Sequence, residues 1–85
     1  MKEKLNRVWS ALIALGAKGV EITHLEDEDV MRVKALLSRG KMQSNFWFYL
    51  PGAYVRAREP AEIAAEAFSA LRSEAESVFD QLCVR

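Results

Sequence analysis

The chain is poor in the residues from which catalytic and metal centres are built. It has one cysteine, Cys83, so no internal disulfide can form and no cysteine-based zinc site can be assembled. Cys83 reads as an ordinary thiol. Its one histidine, His24, has no second histidine or cysteine near it in sequence and makes a poor metal ligand. No apolar run approaches the ~20 residues that a membrane-spanning helix needs, and the charged opening "MKEKLNR" reads as neither a span nor a signal peptide. A cytoplasmic location without membrane contact is the default expectation. There is no nucleophile beside a base, no phosphate-binding glycine loop and no pair of inward carboxylates, so the expectation is a non-enzymatic protein without cofactor or metal.

What is present is the composition of an ordinary folded domain. Eighty-five residues, 51% hydrophobic and 28% charged, suit a single domain over 1–85 with one modest core. The net charge is zero, yet its distribution is uneven. Residues 1–20 carry Lys2, Lys4, Arg7 and Lys18 against Glu3, whereas residues 21–29 carry Glu21, Glu26, Asp27, Glu28 and Asp29 without a base. Between 30 and 58 stand Arg32, Lys34, Arg39, Lys41, Arg56 and Arg58 without a single acid. That block predicts a surface of positive potential.

Leu5, Val8, Trp9, Leu12 and Leu15 recur at helical spacing, which predicts an amphipathic helix over 3–15 that Gly16 and Gly19 end. "GVEIT" follows as a short strand with Val20 and Ile22 inward and Glu21 outward. Thr23 opens "THLE", a capping-box pattern, and predicts a second helix over 23–40 whose first turn holds the acids and whose last turn holds Arg39 and Lys41. On that helix Val30, Val33, Leu36 and Leu37 form the buried stripe, and Met31, Ala35 and Ser38 the outer face, bordered by Arg32 and Arg39 on one edge and Lys34 and Lys41 on the other. "SNFWFYLPGAYVRAR" reads as a long hairpin turning over residues 50–53, with Tyr49 opposite Tyr54, Phe48 opposite Val55 and Trp47 opposite Arg56. One of its faces is apolar, with Phe46, Phe48, Val55 and Ala57; the other carries Asn45, Trp47, Tyr49, Tyr54, Arg56 and Arg58. Pro60 suits the first turn of a last helix over 60–82, with the stripe Ala64, Ala67, Phe68, Leu71, Ala75, Val78, Phe79 and Leu82.

Taken together, the expected fold class is α+β, in the order α-β-α-β-β-α, with a small three-stranded antiparallel sheet, a long hairpin and three helices. This order is similar to the winged helix-turn-helix family of DNA-binding domains: "DVMRVKALLSRGK" looks like the recognition helix and "NFWFYLPGAYVRAR" like the wing, within a winged-helix-like core over 3–58. The resemblance implies a transcriptional regulator that binds duplex DNA. Arg32, Lys34, Arg39, Lys41, Arg56 and Arg58 would then contact phosphate, and Ser38 would meet base edges. The alanines of the last-helix stripe let another helix come close, which predicts a homodimer through that stripe. A second expectation is a protein-binding module in which Trp47, Tyr49, Tyr54 and Arg56 anchor one protein partner. In size and lack of catalytic groups such a module looks like phage- or plasmid-encoded inhibitors of host complexes, of the anti-CRISPR type.

Overall fold

The computed structural model describes residues 2–83. α1 (Lys2–Ala14) forms where the apolar spacing puts it, with Val8 and Leu12 fully buried. It stops at Gly16, whose φ of 103° is a left-handed conformation that side chains disfavour. The Gly16 amide donates to the Ile13 carbonyl and the Ala17 amide to the Leu12 carbonyl, the paired bonds of a Schellman end.

Three strands follow in sequence: β1 (Lys18–Leu25), β2 (Val30–Arg39) and β3 (Met42–Pro51). They pair antiparallel in the order β1-β2-β3, so β2 is central. Two expectations fail here. The helix over 23–40 is not formed: Thr23 lies in β1 opposite Arg32, residues 26–29 make the β1–β2 turn, and the segment that looked like a recognition helix is β2. The hairpin is also displaced. β3 pairs with β2, Tyr49 facing Arg32 and Trp47 facing Lys34, while residues 52–57 leave the sheet as α2 (Gly52–Ala57). The observed order is therefore α-β-β-β-α-α, still α+β with three helices and three antiparallel strands, but not the winged-helix order.

The physical reason lies in which period is used. Leu, Ala, Met, Arg and Lys all favour helices, and over 30–39 that local preference competes with burial between two strands. At a period of two, Met31, Val33 and Ala35 point to one side and are buried, whereas the helical reading had put Met31 and Ala35 outside. Paired strands on both sides and a fully buried inward row outweigh a modest propensity. β2 and β3 join through Gly40 and Lys41; Gly40 has φ 59° and Lys41 a negative φ, which fits a two-residue type II′ turn.

α3 (Pro60–Cys83) carries Ile63, Ala64, Ala67, Leu71, Ala75 and Phe79 on its buried side. This stripe packs on α1 and on the inner faces of β2 and β3, and the Phe79 ring meets Phe46 edge-on at 5.8 Å. The expected dimer surface on α3 is thus consumed by the core. Ala64, Ala67, Leu71, Ala75 and Phe79 are buried and Phe68 and Val78 partly so, leaving Leu82 exposed. The alanines do allow a close helix approach, but the helix that approaches is α1 of the same chain. The side chain of Cys83 lies outside the described residues.

Asp29 fastens the β1–β2 turn to α2. It adopts φ 52°, its carbonyl accepts from the Gly52 amide at 2.7 Å, and its carboxylate takes two bonds from the Arg56 guanidinium, at 2.7 and 3.0 Å. His24 Nε2 stands 2.9 Å from the same carboxylate. These bonds, Arg56 first and His24 next, hold the Asp29 pKa at about 2, below 3.8. A depressed carboxylate adds stability that is present above its unfolded pKa and lost as pH falls through its folded one. In Asp29→Asn, which tolerates the left-handed backbone, the melting temperature should fall at neutral pH. Its deficit relative to the parent should close as pH drops from 3.8 to about 2, followed by circular dichroism. A methyl group at Gly52 would overlap the Asp29 carboxylate. Gly52→Ala should therefore cost about 1–3 kcal/mol in urea denaturation.

Candidate functional site

Helices α1 and α3 cover one face of the sheet, and the other face is open. Strand alternation decides what lies there. The inward row of β2 is Met31, Val33 and Ala35, so Arg32, Lys34, Leu36 and Ser38 point outward. Each is flanked by its cross-strand partners: Thr23, Arg32 and Tyr49 form one row, and Glu21, Lys34 and Trp47 the next. Counted from the two-residue turn, Arg32–Tyr49 and Lys34–Trp47 are non-hydrogen-bonded pairs, the class whose side chains stand closest. Trp47 is 50% exposed and Tyr49 53%. Two residues apart on one strand, these rings stand ~7 Å from each other.

The cations beside them are not equally engaged. Lys34 Nζ donates to Glu21 Oε2 at 3.2 Å, a surface pair that is easily exchanged for another anion. Arg32 makes no hydrogen bond or ion pair with any described residue. Across the molecule, α3 presents Glu62, Glu66, Glu74, Glu76 and Asp80 against Arg72 alone. Zero net charge thus conceals an acidic last helix, while α1 carries Lys2, Lys4 and Arg7 against Glu3.

The structure merges halves of two expected sites and disperses the rest. Arg32 and Lys34, expected on a helix, and Trp47 and Tyr49, expected on a wing, share the open face. Ser38 and Asn45 lie toward the turn end of that face, and Lys41 sits exposed in the turn itself. Arg39 points the other way, pairing with Asp80 at 2.6 Å and standing 5.9 Å from the Phe79 ring centre. Tyr54, Arg56 and Arg58, expected opposite the rings of β3, are on and just after α2. The Tyr54 hydroxyl donates to the Glu66 carboxylate, which raises its pKa, and the Arg58 guanidinium lies 4.8 Å from the Tyr54 ring centre. Arg56 serves the Asp29 clasp, so the expected Trp47–Arg56 contact does not exist. Thr23 and Glu21 complete the face and were not assigned a site role from sequence; the outward position of Glu21 in its strand was the available signal.

Among the described residues no polar or charged side chain is buried, and no three His, Cys, Asp or Glu residues are grouped as metal ligands. No helix among them is long and apolar enough to cross a membrane. Glu26, Asp27 and Glu28 of the acidic run lie exposed in the β1–β2 turn. What the open face offers is exposed ring area, cationic donors and hydrogen-bonding side chains. No family model, curated protein or solved structure matches the chain.

The two sides of β3 should respond differently to truncation. Trp47→Ala or Tyr49→Ala should change stability by less than about 1 kcal/mol, since each ring is half in solvent. Phe46→Ala removes a ring from the core and should cost about 3–5 kcal/mol. Urea titrations of the three variants make the comparison.

Proposed function

We propose that the chain is a small non-enzymatic nucleic-acid-binding protein and that the open face of its sheet is the binding surface. The observation that carries this reading is the adjacency of two half-exposed rings, Trp47 and Tyr49, to Arg32 and Lys34 on one flat face. Rings give bases a stacking surface, and the cations beside them meet phosphates. Bases are free to stack in this way when unpaired, so single strands are favoured over duplex. The segment that resembled a recognition helix does not enter a groove as a helix, because residues 30–39 are a strand. Sheets also enter grooves, and duplex is therefore the comparison ligand.

A protein partner is the second reading. It is favoured by the zero net charge and by the Lys34–Glu21 pair, which leaves Arg32 as the cation beside the rings that no described residue engages. Trp, Tyr and Arg are the residue types that most often anchor protein interfaces. An inhibitor that occupies a site on a host complex would use them in this way.

Fluorescence anisotropy with labelled single-stranded and duplex oligonucleotides separates the two. Binding is expected to weaken with salt, with a log–log slope of about −1.4 if Arg32 and Lys34 each neutralise one phosphate of a single strand. Trp47→Ala should weaken it about tenfold, equivalent to the loss of one stacked base, while Arg32→Ala should flatten the salt slope. Absence of binding to either form at low salt, or a Trp47→Ala variant that binds as well as the parent, overturns the nucleic-acid reading and leaves the face to a protein.

A further inference from the structure

The two edges of the sheet are unlike. β1 is protected in the manner of a solvent-facing edge: its pairing register shifts between Lys18 and Glu21, Gly19 sits there with φ 58°, and both flanking residues are charged. β3 has none of these devices. Its ten residues, "MQSNFWFYLP", include no charge, and their register with β2 runs without a bulge from Met42 to Pro51. A long, regular, uncharged edge rich in aromatic residues is a template for another strand.

The backbone of β3 supplies the matching groups. Arg39 and Met42 flank the two-residue turn and are a hydrogen-bonded pair, so Met42, Ser44, Phe46, Phe48 and Leu50 bond to β2. Gln43, Asn45, Trp47 and Tyr49 turn their amides and carbonyls outward. Among the described residues no backbone bond from another element reaches them, and β3 is last in the strand order. One side-chain contact is present, from the Ser44 hydroxyl to the Asn45 carbonyl at 3.5 Å.

We infer that this edge pairs with the β3 of a second copy, antiparallel about a two-fold axis, to give a six-stranded sheet. Self-pairing is free of like-charge repulsion because the strand carries no charge. The alternation of faces restricts the register. Opposed residues share a face, so odd positions meet odd ones: Trp47 lies against the second copy's Trp47 or its Asn45, and the outward amides meet outward carbonyls. Both helical layers then lie on one side, and the open faces join into one surface with both copies' Trp47 and Tyr49 near its centre. The protected β1 edge also explains why the assembly closes. Pairing of β3 with β1 of the next copy would be heterologous and would grow into a fibre, and the bulge and charges at Lys18 and Glu21 oppose it. The pairing does not depend on nucleic acid occupying the face.

Amide hydrogen exchange by NMR, residue by residue, on the intact chain from micromolar to millimolar concentration tests this. In a monomer the amides of Asn45 and Trp47 are unbonded and exchange quickly, whereas Phe46 and Phe48 are protected. The expected result is slowing of the Asn45 and Trp47 amides by about tenfold or more as concentration rises, with a doubled mass by sedimentation. Asn45→Pro removes an outward donor without touching the β2–β3 bonds and should restore the monomer mass with circular dichroism unchanged. Unprotected Asn45 and Trp47 amides at millimolar concentration overturn the inference. So does a dimer in which these amides stay exposed while residues elsewhere become protected.

Discussion

Burial of Met31, Val33 and Ala35 under the helices is the constraint on which the rest depends. These side chains of the central strand are at most 1% exposed, and they sit beneath a helical layer built from Val8, Leu12, Ile63, Ala67 and Leu71. A strand has two faces, so fixing this row inward fixes Arg32 and Lys34 outward. The antiparallel register then sets Tyr49 beside Arg32 and Trp47 beside Lys34. The open face is thus a consequence of core packing: sliding β3 by one residue would carry Phe46 into solvent and Trp47 into the core.

The same sheet has to satisfy two requirements at its periphery. On one side of α2 the Asp29 clasp ties the first turn to the chain leaving β3; on the other, Arg58 and Glu66 hold Tyr54. These polar contacts occupy the cations and the ring expected on that face from the sequence. The bases of residues 30–58 therefore divide by task. Arg56 and Arg39 serve the fold through Asp29 and Asp80, and Arg32, half-buried on the open face, is bonded to no described residue. The basic block in the sequence is not one cluster: it divides between two structural pairings and the open face of the sheet.

Several elements were legible in the sequence because a local signal and a tertiary requirement agreed. α1 and α3 show helical spacing, a glycine stop or a proline start, and a buried side that the core uses. The separation of Phe46 and Phe48 from Trp47 and Tyr49 held because it follows from strand geometry whatever the partner strand is. The helix expected over residues 23–40 is absent because its capping pattern and helix-favouring composition are local, whereas the competing period of two gains only when neighbouring strands and a helical layer bury it. Residues 52–57 depart from the expected strand for the complementary reason: Tyr54 and Val55 favour strands locally, but Gly52 and Arg56 bond to Asp29, Tyr54 to Glu66, and Val55 is buried, contacts that a second arm of the hairpin would forgo.

The sequence by itself determined the class of the fold, its terminal helices, the scarcity of cysteine and histidine, and the presence of an aromatic face beside cations. Only the tertiary structure decided which cations. Arg32 and Lys34 reached Trp47 and Tyr49 through strand pairing, while Arg56 and Arg58 left through a short helix. The physical reason is that alternation along one strand is a local property, readable from consecutive residues. The neighbour across a hydrogen-bonded ladder is chosen by burial summed over the whole core.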